Sequence, residues 1–312
     1  MDISLKEIRA ALAADPVAAV ARAEKTYRAS VAAVAERLLC EPEHRILFLA
    51  GPSSSGKTTT ANILCDHLRA AGHSAAVVSL DNFYRPLDEP DYPRLASGAH
   101  DYESPHAIDI GAVRACLAAV LQGKEYPLPR FDFRRRVRDE KTTPLRVPPD
   151  GYLMIEGLHA LNPLLSEGLP RESYFNVFIS VSTNIVEEDG SRLLSGRKLR
   201  FVRRMVRDSL YRASDAARTY ELWQSVLAGE DAYLYPHRDR ADMAINSFHL
   251  YEVALLRPFA EPLLAAENAP RNDYTNAVRA AIAAFSPLPE RLVPDTSLLR
   301  EFIPGGVYEA LY

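Results

Sequence analysis

Gly51-Pro52-Ser53-Ser54-Ser55-Gly56-Lys57-Thr58 fits G-x-x-x-x-G-K-[ST] at every fixed position. The eight residues follow a short apolar run at 45–50, which suits a strand buried on both faces, and they open a helical stretch over 58–70. That context is what a phosphate-binding loop requires. Glycines let the backbone turn its N–H groups inward around phosphate oxygens, and the helix N-terminus adds its partial positive charge. Gly51 to Thr58 and the adjoining Thr59 are therefore expected to bind ATP. Lys57 reaches the β- and γ-phosphates and the Thr58 hydroxyl joins a Mg²⁺ shell.

Two acids fall where such a loop could use them. Asp81 closes a second apolar run in Ser79-Leu80-Asp81-Asn82-Phe83-Tyr84, and Glu156 ends a third in Leu153-Met154-Ile155-Glu156-Gly157. The carboxyl ends of strands line the ligand crevice of open α/β sheets, so both acids are placed on one edge. A carboxylate there can accept the proton of an attacking hydroxyl, and the pair with Thr58 can organise Mg²⁺. Residues 192–212 add Arg192, Arg197, Lys198, Arg200, Arg203, Arg204, Arg207 and Arg212 against one acid, Asp208. Arg200, Arg203, Arg204 and Arg207 stand at i, i+3, i+4 and i+7, one stripe of a helix. Beside a triphosphate site that stripe reads as a lid neutralising charge on the transferred group, rather than as a solvated face or a nucleic-acid surface.

The elements that must hold these groups follow from periodicity. Apolar runs at 75–80, 152–155, 175–181 and, less regularly, 241–245 join the first as strands, with helical stretches between them. Alternation of this kind implies right-handed crossovers, hence an α/β P-loop fold with a mostly parallel five-stranded sheet flanked by helices. One helix is expected to open at Ser104-Pro105, serine as N-cap and proline in the first turn, and to close at Gly123. Residues 88–101 and 126–150 read as long irregular loops. Residues 1–40, alanine-rich with a break at Asp15-Pro16, read as a helical extension packed on the kinase-type domain at 41–288, whose lid spans about 190–212. In the tail at 289–312, Phe302, Val307, Tyr308, Leu311 and Tyr312 could dock on the core or on a neighbouring subunit of a homo-oligomer.

The 312 residues are 47% hydrophobic and 25% charged, enough for a full core, and the net charge of −4 gives no global pull toward nucleic acid or an anionic membrane. Cys40, Cys65 and Cys116 are isolated, which excludes a C-x-x-C zinc or redox pair, and are expected to be buried thiols. No apolar run of about 18 residues occurs, and Asp2, Lys6, Glu7, Arg9 and Asp15 interrupt the start, so a cytoplasmic location is expected.

With these residues in place, the chain resembles the uridine kinase and phosphoribulokinase family, most closely its bacterial uridine-kinase-like members, over about residues 45–264. Asp81-Asn82-Phe83-Tyr84 is similar to the element whose aspartate is the family's catalytic base, and Asp101-Tyr102-Glu103-Ser104-Pro105 stands in place of its acidic substrate loop. Pro129-Arg130-Phe131-Asp132-Phe133 looks like the element whose aromatics flank the base, Ile155-Glu156-Gly157 like the magnesium-side glutamate element, and residues 199–208 like the arginine lid. The resemblance implies ATP- and Mg²⁺-dependent phosphoryl transfer to the 5′-hydroxyl of a nucleoside. Asp81 would be the base, Lys57, Arg200, Arg203 and Arg204 would be catalytic cations, and Arg207 would bind ATP. On the acceptor side Glu103 would grip the ribose diol, Phe131 and Phe133 would sandwich the base, and Tyr84 and Arg136 would rim the pocket. The sequence departs from the family pattern at Glu103 (usually Asp), Phe131 (usually Tyr), Lys198 (commonly an acid) and Arg212-Ala213 (an arginine-glycine pair). The same loop, base and lid would also serve a kinase of another small polyol, or a regulatory ATPase.

Overall fold

The computed structural model describes residues 1–132 and 135–309. Its centre is an all-parallel sheet of β1 (Ile46–Ala50), β2 (Ala75–Ser79), β3 (Tyr152–Gly157), β4 (Tyr174–Ser180) and β5 (Met243–Asn246), in the order β5-β4-β1-β3-β2. Every residue of β1 and β3 is buried, which is why these strands read as continuous apolar runs and not as alternating ones. Around the sheet lie α1 (Leu5–Ala14), α2 (Pro16–Cys40), α3 (Lys57–Ala70), α4 (Ile110–Leu121), α5 (Gly196–Tyr211), α6 (Ala216–Gly229), α7 (Glu252–Ala265) and α8 (Asp273–Ala283). The chain leaves central β1, passes through α3 to edge strand β2, and returns to β3 beside β1. This puts the loops after β1, β2 and β3 side by side at the carboxyl edge.

Asp15 divides the first two helices. Its extended backbone ends α1, its side chain accepts from the Ala18 N–H, and Pro16 takes the first position of α2, where no N–H is needed. Val20, Tyr27, Val31, Val34 and Leu38 of α2 share one buried cluster with Leu64, Cys65 and Leu68 of α3. Leu298, Leu299, Phe302 and Ile303, each fully buried, belong to the same cluster. At roughly 1.5–3 kcal/mol for each large apolar side chain removed from water, these four alone hold the tail by something on the order of 10 kcal/mol. Phe302 thus docks on its own core and Tyr308 donates to Asp66, Val307 is exposed, and Leu311 and Tyr312 lie outside the described residues.

Three local expectations are revised. Ser104 and Pro105 open only a 3₁₀ turn, Pro105–Ala107; the helix begins five residues later, where the Asp109 side chain accepts from the Ala112 N–H. The stretch 126–150 holds two short antiparallel ladders, Tyr126–Leu128 with Thr143–Leu145 and Phe131–Asp132 with Val137–Arg138. Cys40 is exposed at the end of α2, whereas Cys65 and Cys116 are buried, their thiols pushed up to about 12 by loss of solvent. Among the described residues no helix is long and apolar enough to cross a membrane.

Candidate active site

The loop from β1 to α3 turns through two left-handed residues, Ser54 (φ 57°) and Gly56 (φ 90°). Lys57 Nζ donates to the Pro52 carbonyl at 3.0 Å, and Thr60 Oγ1 donates to the Gly56 carbonyl at 2.6 Å. Thr58 lines the cavity over the loop; Thr59 is buried, and its hydroxyl donates to Glu301 Oε2 at 2.9 Å. Ser53 to Lys57 line that cavity as well.

The acids come from the neighbouring strand ends. Asp81 sits in the 3₁₀ turn Leu80–Phe83 directly after β2, its N–H donating to Ser79 Oγ at 3.3 Å. Glu156 is the β3 residue in register with Ser79. Burial pushes the Glu156 carboxyl up to about 7 against the pull of Lys57, and the Ser79 hydroxyl also acts to lower it. Asp81 keeps access to water but is enclosed by protein, which raises its carboxyl, while Lys57, Arg212 and Arg207 act to lower it. Glu103 faces the same space from the turn after Asp101, whose Oδ1 accepts the Glu103 N–H at 3.2 Å. Its carboxyl is also pushed up to about 7 by burial, with Arg204 opposing. Lys57, Thr58, Asp81, Tyr84, Glu103 and Glu156 thus share one cavity of about 210 Å³.

The other predicted acceptor contacts are more scattered. Tyr84 donates to the Tyr102 carbonyl at 3.0 Å, and its ring lies 5.7 Å from that of Phe131. Phe131 is buried behind Tyr84 and does not line the cavity. Arg136 is exposed on an adjoining basin with Arg204, Arg212 and Arg218. Phe133 lies outside the described residues.

The arginine stripe faces the loop, and burial divides it. Arg200 and Arg203 do not reach the cavity, contrary to their assignment as catalytic cations. Arg200 donates to both oxygens of Glu230 at 2.7 Å and to the Ser53 carbonyl at 2.8 Å. Arg203 donates to Glu252 at 2.6 Å, to the Ser247 carbonyl at 2.7 Å and to the Ser54 carbonyl at 3.3 Å. A guanidinium this deep must be paired, and each has its own glutamate. Through their carbonyl bonds the two arginines tie the backbone of the loop at Ser53 and Ser54 to α5. Arg204 and Arg207 do line the cavity, Arg204 donating to Ser53 Oγ at 2.8 Å and Arg207 to Asp208 at 2.8 Å. Arg212 joins them, pushed down to about 10 chiefly by Arg207. It was absent from the predicted site residues because it follows α5, off the helical stripe. Next to it Ala213 holds φ 48°, a conformation glycine takes without strain, at the position where the family resemblance expects one.

A parallel sheet in this order, with the phosphate loop after its central strand and acids on the adjoining strand ends, defines a P-loop nucleoside-triphosphate-binding fold of the kinase type. Residues 46–188 match the model of the Phosphoribulokinase / Uridine kinase family. It is 26% identical over 211 residues to the uridine kinase of Deinococcus deserti, covering 67% of this chain and 91% of the relative. It is 28% identical over 206 residues to uridine-cytidine kinase B of Dictyostelium discoideum, covering 64% and 73%. A solved structure described as a possible uridine kinase from Bacillus stearothermophilus is 18% identical, with a TM-score of 0.47 over 70% of this chain and 98% of that one.

Proposed function

We propose that the chain transfers the γ-phosphoryl group of ATP to the 5′-hydroxyl of a nucleoside, a pyrimidine ribonucleoside such as uridine or cytidine, in the cytoplasm. The observation that carries this reading is the placement of Asp81 and Glu103 in one cavity with Lys57 and the phosphate loop. Lys57 and the loop amides hold the triphosphate, and Glu103 accepts hydrogen bonds from the ribose diol, leaving the 5′-hydroxyl near Asp81. As that oxygen bonds to the γ-phosphorus and the bond to ADP breaks, Asp81 takes the hydroxyl proton. Arg204, Arg207 and Arg212 offset the charge on the transferred oxygens.

Among the described residues no three His, Cys, Asp or Glu side chains could cage a metal by themselves. Mg²⁺ does not require such a cage, since it is commonly held by one or two carboxylates together with phosphate oxygens. The oxygen donors Thr58, Asp81 and Glu156 line one cavity beside the phosphate loop, a set that fits it. Held by Thr58, Asp81 and Glu156, Mg²⁺ would supply positive charge against the charge of the phosphate groups.

The test is ADP release with Mg²⁺-ATP across ribonucleosides, deoxynucleosides, pentose phosphates and pantothenate, with Asp81→Asn beside the wild type. Turnover on a ribonucleoside is expected, with kcat lowered about 10²- to 10⁴-fold in the variant. Turnover on another alcohol alone would keep the chemistry and change the acceptor. Hydrolysis indifferent to any acceptor would make the chain a regulatory ATPase.

A further inference from the structure

The cavity has a wall that lies outside the residues matching the family. In the 3₁₀ turn Leu298–Glu301, Leu298 packs on the phosphate loop so closely that a Cβ on Gly56 would lie 2.3 Å from its Cδ1. Glu301 is 5% exposed, lines the cavity, and accepts the Thr59 hydroxyl. Thr59 follows the threonine expected at the Mg²⁺, at the end of the loop whose backbone cradles α- and β-phosphates, so Glu301 would lie near the α-phosphate end of a nucleotide bound there.

A tail over a phosphate loop suggests a flap that lifts, but the packing opposes this. Leu298, Leu299, Phe302 and Ile303 are fully buried around Glu301, and Ser297 Oγ donates to buried Glu24 at 2.6 Å. Arg300 fastens the same turn to the Glu290 and Val293 carbonyls at 2.9 and 2.8 Å. The segment is a fixed wall, and its carboxylate stays in the site when nucleotide enters. A triphosphate chain offers a carboxylate no hydrogen to accept. The nearest O–H donors along a nucleotide from its α-phosphate are the ribose hydroxyls.

We infer that the C-terminal segment forms part of the donor-nucleotide site, with Glu301 as a specificity-determining residue that accepts a hydrogen bond from a ribose hydroxyl of the phosphate donor. This rests on reading the cavity as a donor-nucleotide site and is independent of which acceptor is used.

The experiment measures binding of Mg²⁺-ATP, 2′-deoxy-ATP and 3′-deoxy-ATP to the full chain by titration calorimetry without acceptor, for wild type, Glu301→Ala and Leu298→Ala. Wild type is expected to bind one of the deoxy donors about ten- to a hundredfold more weakly than ATP, the range for a hydrogen bond to a charged group. In Glu301→Ala that ratio should fall to near one. Leu298→Ala disturbs the same wall without removing the carboxylate, so it should weaken all three donors by a common factor and keep the ratio. ATP binding with no discrimination in the wild type, or discrimination unchanged in Glu301→Ala, overturns the inference while leaving phosphoryl transfer intact. A ratio that collapses as stated, in a protein that phosphorylates no nucleoside, supports the inference and removes the acceptor assignment.

Discussion

Arg200, Arg203, Arg204 and Arg207 occupy one stripe of α5, yet their surroundings assign them different work. Arg203 is fully buried against Glu252, so Arg203→Ala leaves that carboxylate without its cation and should lower stability by about 3–5 kcal/mol in urea unfolding. Arg212 has a half-exposed side chain, and its ion pair with Asp208 spans 3.6 Å. Arg212→Ala should therefore change stability by less than about 1 kcal/mol. It should nevertheless lower kcat about 10²-fold or more if the residue offsets charge on the transferred group. A stable but inactive Arg203→Ala, or an unstable Arg212→Ala, would reverse the two assignments. Spacing made the stripe legible, because it depends only on helical period. The partners were not legible, since Glu230 and Glu252 lie 30 and 49 residues farther along the chain and are brought near only by the packing of later elements. Glu301, 242 residues from Thr59, was hidden for the same reason.

At the scale of elements, the strands and the phosphate loop could be read directly, because each buried parallel strand is a short apolar run and the loop is contiguous. What could not be read was where one turn gives way to the next. Ser104-Pro105 is a sound helix-start signal, but the chain spends it on a 3₁₀ turn, and Asp109 supplies the working cap. That turn follows Glu103, and its position is set by contact with the end of α6. A Cβ on Gly229 would lie 2.4 Å from Glu103 Cβ. Alanine is the better helix former by roughly 0.5–1 kcal/mol, so propensity alone favours Gly229→Ala. The steric conflict falls on a backbone-proximal atom that cannot swing aside, and it should win. Gly229→Ala is expected to displace Glu103 and raise KM for the acceptor several-fold, with KM for ATP little changed. Equal rises in both constants would mean that Glu103 does not belong to the acceptor side.

For the whole molecule, the concentration of acids around the phosphate loop sets a pH dependence. Glu103 and Glu156 are each raised from an ordinary 4.5 to about 7, largely by burial. Between those values the folded chain holds more protons than the unfolded one, so stability falls as pH rises. The contribution is fully present below the unfolded value and lost through pH 7, at up to about 3 kcal/mol for each group. Asp81 is shifted in the same direction and adds to it. Lys57 opposes the shift at both Asp81 and Glu156, so the slope measures how far one lysine can neutralise two acids in the free protein. The urea midpoint of the ligand-free chain is expected to fall from pH 5.5 to pH 8. Glu156→Gln, which keeps the shape and removes the charge, should flatten that fall and be more stable than wild type at pH 8. A midpoint that rises over the same interval, or a variant with an unchanged slope, would mean that Lys57 and the neighbouring arginines already hold these carboxylates ionised, and that the site meets its cation with its charge in place.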